Sequence, residues 1–157
     1  MADETTQTNS SEGAQLSLQK VYIKDASFEV PGAPHIFQEQ GQPQVQLNLQ
    51  QQVGPLGENV YEVVLTVTVT CKLAEKTAYL AEVQQAGVFG VAGFDQPNRE
   101  MVLATFCPNV LFPYARTAVA NLIQDGGFPP FLLQPINFES LYAEQMRRRE
   151  EGAQPNA

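Results

Sequence analysis

Apolar residues recur at every second position through the first half of the chain and at helical spacing through the second, with the change near residue 90. The alternation is sharpest over 60–71. There Tyr61, Val63, Leu65, Val67, Val69 and Cys71 fall on one side, and Val60, Glu62, Val64, Thr66, Thr68 and Thr70 on the other, which predicts a strand. A second strand is predicted over 77–86, with Tyr79, Ala81, Val83 and Gln85 opposite Ala78, Leu80, Glu82 and Gln84, and the short KLAEK connection makes the two a hairpin. In 43–53 Val45, Leu47 and Leu49 alternate with Gln44, Gln46, Asn48 and Gln50, a half-buried strand with a wet, uncharged face. The segment 19–30 starts with Val21 and Ile23 on one face, and Phe28 and Val30 continue it out of simple phase, so a bulge is expected near Asp25–Ala26. Pro31, Gly32 and Pro34 end that strand. Four consecutive strands with short or medium connections predict an antiparallel sheet.

Beyond the glycines at 87, 90 and 93, which are expected to turn the chain from sheet to helix, Asp95 or Asn98 can cap a helix running toward Phe106. Pro108 and Pro113 interrupt the ladder, so a restart is expected near Pro113, carrying Tyr114, Ala115, Ala118, Val119, Leu122 and Ile123 to a stop at Gly126 or Gly127. The prolines of 128–136, FPPFLLQPI, forbid helix and leave an apolar, extended connector. Asn137 then caps a last helix with Arg147, Arg148 and Arg149 near its end, where the helix dipole favours cations. Strands first and helices afterwards define an α+β fold. The polar ends, 1–15 and 150–157, bury too little surface to offset their ordering entropy, which leaves 16–149 as a single domain between mobile tails.

Nine Lys and Arg against 17 Asp and Glu give a net charge of −8, which offers no broad basic surface for nucleic acid. Residues 1–15 contain three acids, no Lys or Arg and no apolar centre, unlike a secretory signal, and no run approaches the ~18 apolar residues of a membrane span. The two cysteines, Cys71 and Cys107, stand apart in apolar surroundings and read as buried free thiols in a reducing compartment, the cytoplasm. The single histidine, His35, reads as structural; the glycine spacing matches no phosphate loop, and no metal spacing is present, so no cofactor is implied. A cysteine-dependent enzyme is a competing class, and it requires Cys107 to be exposed.

The stretches DASFEVPGAPHIF at 25–37, VYEVVLTVTVT at 60–70, EVQQAGVF at 82–89, CPNVLFPYAR at 107–116 and FPPFLLQPINF at 128–138 are similar to the SecB family of bacterial export chaperones. The resemblance covers about residues 18–142. It implies a four-stranded antiparallel sheet with two helices packed on one side, assembled as a homotetramer, a dimer of dimers. It also implies an ATP-independent chaperone, not an enzyme, that keeps secretory precursors unfolded in the cytoplasm and delivers them to the SecA ATPase. By the same resemblance, the zinc-binding C-terminal segment of SecA docks on Asp25, Glu29, Leu80 and Glu82. The client groove falls on Phe37, Phe128, Phe131, Leu133, Phe138 and Tyr142, and subunit contacts on Ala81, Val83, Gln85, Tyr114 and Ala118. The chain departs from the family at Gly41, where some members carry a groove tryptophan, and in a C-terminal tail without the common acidic character. Relatives of this fold also serve toxin–antitoxin systems, which is the alternative role.

Overall fold

The computed structural model describes residues 13–153, so of the expected mobile ends at 1–15 and 150–157 the parts 1–12 and 154–157 lie outside the described residues. Four strands, β1 (Gln15–Glu29), β2 (Gln44–Gly57), β3 (Val60–Leu73) and β4 (Lys76–Ala92), form one antiparallel sheet in the order β1-β4-β3-β2. The β3–β4 hairpin turns on Ala74 and Glu75, both at positive φ (51° and 65°), the handedness that matches strand twist across a tight turn. Because β1 pairs with β4 and β2 with β3, the segment 30–43 must cross from one edge of the sheet to the other. It is pinned midway by a 3-10 turn at His35–Gln38, whose Ile36 is buried in the core.

The register of β1 slips at two places, between Leu18 and Lys20 and between Ile23 and Asp25. The second slip lies one residue before the expected bulge and accounts for the phase change in the sequence. Ile23 lies opposite Gln85, and after the slip Ala26 and Phe28 lie opposite Val83 and Ala81, so an odd-numbered and then an even-numbered series faces the helices. Strand β4 is longer than expected, and here the reading of the glycines is corrected. Gly87 and Gly90 lie within the strand; a Cβ on Gly87 would meet Leu111 Cδ2 and Phe89 Cε2 at 2.9 Å, so this glycine permits close packing. Only Gly93, at φ 80°, turns the chain toward the helices.

Helix α1 (Gln96–Ala104) is capped by Asp95, whose carboxylate accepts from the Asn98 amide at 3.0 Å. Helix α2 (Phe106–Asp125) restarts at once after Thr105, not at Pro113. Pro108 sits in the first turn, where no intrahelical donor is needed, and Pro113 is accommodated inside the helix at the loss of one ladder bond. Gly126 and Gly127 end α2, and residues 128–137 run without helix or strand to α3 (Phe138–Ala153). The Asn137 side chain caps α3 by accepting from the Ser140 amide at 2.9 Å, and the helix passes the expected boundary at 149 through Glu150 and Glu151.

The core lies between α2 and the β3–β4 hairpin. Leu111, Ala115, Val119 and Ile123 repeat every fourth residue along α2 and are fully buried against Val63, Leu65, Val67, Val69, Val83 and Phe89. The other face of the sheet carries Thr66, Thr68, Thr70, Glu82 and Gln84, all partly exposed, and among the described residues no helix covers it.

Candidate functional site

Strand register gathers four carboxylate and apolar side chains on the uncovered face. Glu29 lies opposite Leu80, Ser27 opposite Glu82 and Asp25 opposite Gln84, so Asp25, Glu29, Leu80 and Glu82 share one patch across β1 and β4. Leu80 is 36% exposed among them. Thr68, across from Glu82 on β3, donates its hydroxyl to Glu82 Oε2 at 3.1 Å and orients that carboxylate. Beside the patch Lys24 binds Glu62 at 2.8 Å, and the Tyr22 hydroxyl also donates to Glu62. These contacts hold the Glu62 carboxyl below its usual range, first through Lys24 and then through Tyr22, while the Glu62 carboxylate pushes the Tyr22 phenol up to about 12. The cation nearest the patch is thereby spoken for, and among the described residues Asp25, Glu29 and Glu82 form no ion pair. The Tyr22–Glu62–Lys24 cluster was not foreseen. Its members lie 40 positions or fewer apart on β1 and β3, which are not neighbours, and only the strand order brings them together.

A second cluster sits on the helical side at the same end of β4, behind the patch. Phe37 packs on Phe128 with ring centroids 5.2 Å apart, Phe128 on Tyr79 at 4.9 Å, and Tyr79 on Phe28 at 5.8 Å. Phe37 is 50% exposed, so the row runs from the core to the surface. Gly126 keeps it straight, since a Cβ there would lie 2.0 Å from Phe28 Cε1.

The six residues expected to form one client groove do not line one surface. Phe37 and Phe128 form the cluster just described, and Phe131 packs partly buried against the core. Leu133 and Phe138 are corrected: both are 0% exposed, Phe138 lying edge-on to Phe112 at 6.0 Å, and they anchor the connector and α3 to the core. An amphipathic connector buries alternate side chains, and the sequence does not say which set. Tyr142 lines a separate cleft of about 280 Å³ with Gln51, Val53, Leu103 and Arg149. Gly41 is exposed at φ 147°; an added Cβ would have Leu73 Cδ1 at 3.8 Å, so space exists there but the backbone suits glycine.

The expected subunit contacts divide in the same way. Ala81 and Val83 are corrected, being buried under the helices of their own chain and closed to any partner. Gln85 is also buried, its side-chain amide donating to the Tyr22 carbonyl at 3.0 Å. Tyr114, half exposed, and Ala118 line an open cleft of about 580 Å³ between β1 and α2, with Val21 and Ile23 opposite. Both thiols are buried, and burial pushes Cys107 up to about 12, which is against the exposed nucleophile that a cysteine-dependent enzyme requires. Among the described residues no helix is long and apolar enough to cross a membrane.

This is an α+β protein with one sheet face under helices and the other open, and its exposed chemistry is aromatic on the first side and carboxylate on the second. Residues 9–149 match the family model for SecB, the preprotein translocase subunit. The chain is 60% identical over 139 residues to the protein-export protein SecB of Stenotrophomonas maltophilia, covering 88% of this chain and 81% of that one. It is 56% identical over 154 residues to that of Xylella fastidiosa, covering 95% and 90%. A solved Mycobacterium tuberculosis SecB-like chaperone in complex with a ChAD peptide from the HigA1 antitoxin superposes with a TM-score of 0.65 at 17% identity, over 78% of this chain and 91% of that one. The chain belongs to the SecB family.

Proposed function

We propose that this chain is a protein-export chaperone that holds unfolded secretory precursors in the cytoplasm and passes them to the SecA ATPase without using ATP itself. The observation that carries the reading is its 56–60% identity, across most of both chains, to proteins named for protein export. The half-exposed Phe37 stacked on Phe128 supports it, since an apolar, aromatic surface favours chains whose own apolar groups are uncovered. A binder selective for unfolded chains acts by mass action, lowering the free concentration of the species that folds or aggregates. Slowly folding precursors stay captured longest.

Delivery to SecA is assigned to the open sheet face. Three unpaired carboxylates around Leu80 suit the basic, zinc-binding segment of the motor, with Leu80 as the apolar anchor. Client and motor then meet opposite faces of one sheet, so both can be held at once. The cleft between β1 and α2, with Tyr114 and Ala118, is the surface assigned to subunit contact in a homotetramer. Service to a toxin–antitoxin pair is not favoured, because the relatives of high identity are export proteins and the antitoxin-bound structure shares the fold at 17% identity.

The test is binding of a secretory precursor in two states. Immobilised chaperone should retain the denatured precursor on dilution and release or ignore the folded mature form. Equal retention of the two, or retention of neither, overturns the proposal.

A further inference from the structure

The charge of the open face depends on where one lysine is held. At the second register slip of β1, Ile23 lies opposite Gln85 and Asp25 opposite Gln84, so Lys24 is the residue inserted between them. An inserted residue resets the alternation, and Lys24 and Asp25, though consecutive, both serve the open face. Lys24 reaches Glu62 of β3 at 2.8 Å, while Asp25 belongs to the patch with Glu29, Leu80 and Glu82. The other lysine of β1, Lys20, lies opposite Val88, farther along the strand from the patch. Lys24 is therefore the β1 cation best placed to cancel one of the three carboxylates, and it is turned the other way.

What turns it is a bridge across β4. The Lys24 ammonium donates to Glu62 Oε1 and the Tyr22 hydroxyl to Oε2, so each oxygen of the carboxylate has its own donor. The bridge crosses β4 where Ala86 lies opposite Tyr22 and Val88 opposite Glu62, and Ala86 is fully buried although it belongs to the open face. The Glu62 side chain is 20% exposed against 48% for Lys24, which makes the carboxylate the fixed partner and the lysine the flexible arm. An ion pair this exposed adds little to stability, whereas a charge within reach of a binding patch changes affinity directly.

We infer that Glu62, oriented by Tyr22, is a positioning residue for the docking of the basic SecA segment: it holds Lys24 away from the carboxylate patch and does not itself touch the segment. The inference rests on the docking assignment above and deepens it. With Glu62 ionised, the Lys24–Glu62 pair is neutral, and the patch presents the full charge of Asp25, Glu29 and Glu82 to a basic peptide. With Glu62 uncharged, the Lys24 ammonium has no counter-ion, and its neighbour along the chain is the carboxylate of Asp25. One stray cation then offsets one of three anions at the place where the peptide binds.

The test is titration of the full chain with the zinc-loaded C-terminal peptide of SecA at low and at high salt. Glu62→Gln is nearly isosteric and keeps an acceptor for the Tyr22 hydroxyl, so it should retain native circular dichroism. It should bind the peptide about threefold to tenfold more weakly at low salt, with the difference shrinking as salt rises. Adding Lys24→Gln to that variant should restore the original affinity, because the stray cation is gone. Lys24→Gln alone should bind at least as tightly as the unsubstituted chain. A double variant as weak as Glu62→Gln means that Glu62 contacts the peptide or merely braces the sheet, and overturns the inference. Weaker binding by Lys24→Gln alone overturns it too, since the lysine would then be a contact. Glu82→Lys, measured in parallel, separates this inference from the assignment beneath it. If Glu82→Lys weakens the peptide and Glu62→Gln does not, the inference alone falls; if neither does, the docking assignment falls with it.

Discussion

The aromatic row and the carboxylate patch are carried by the same strands, yet they depend on the fold in opposite ways. The row from Phe28 through Tyr79 and Phe128 to Phe37 is continuous with the core, so each ring is placed by packing against the next. The patch of Asp25, Glu29, Leu80 and Glu82 is placed by backbone register, with one threonine hydroxyl on Glu82, and its side chains are exposed apart from the half-buried Glu82. Substitutions on the helical side should therefore disturb stability and client capture together. Substitutions on the open face should disturb one binding event and leave stability untouched.

The largest effect is expected at Phe138, which was assigned to a binding groove and is sealed in the core. Phe138→Ala should cost about 3–5 kcal/mol in urea unfolding. A loss below about 1 kcal/mol would show that this ring is a surface contact after all. Alkaline pH comes next. The Cys107 thiol is raised from 9.0 to about 12 and the Tyr79 phenol from 10.0 to about 12, each chiefly by burial. Both ionise more readily in the unfolded chain, so their contribution is complete below pH 9 and is lost as pH rises toward 12, by up to about 1.4 kcal/mol per pH unit for each group. Stability measured across that window should fall, and a flat profile would contradict the buried thiol. Gly126→Ala should cost about 1–3 kcal/mol by driving Phe28 off Tyr79, with a change in near-ultraviolet tyrosine dichroism. An unchanged tyrosine signal means that the row tolerates displacement.

The open face should give the smallest stability change and the sharpest contrast. Glu82→Lys replaces a carboxylate held by one threonine hydroxyl, so stability should move by no more than about 0.5 kcal/mol. Association with SecA should weaken, and the difference from the unsubstituted chain should narrow as salt rises. Loss of client capture in the same variant would erase the distinction between the two faces.

Much of the sheet could be read from the chain because strands buried on one face leave a period of two that nothing else imitates. The β3 alternation and the odd-numbered face of β4 were legible for that reason, and so was the phase slip in β1. The carboxylate patch was legible as far as Leu80 and Glu82 share a parity; the addition of Asp25 and Glu29 depended on the resemblance and on a strand order that pairs β1 with β4. Glycine was misread at 87 and 90 because turn propensity and close packing call for the same residue. Proline was misread at 113 because the cost of one missing hydrogen bond is small against a helix buried along its length. The connector was the hardest segment. Phe128 and Phe131 look identical in sequence to Leu133 and Phe138, and only the three-dimensional path decides which pair is sealed.

The account rests on one surface preferring polypeptide in its unfolded state, and a competition experiment addresses that most directly. Denatured precursor is diluted into the chaperone or into its Phe37→Ser variant, and the fraction still unfolded is followed with time. The unsubstituted chain should slow refolding in proportion to its concentration, and the variant should do so several-fold less while unfolding in urea within about 1 kcal/mol of the original. Refolding that proceeds at the same rate with and without the protein would contradict the account.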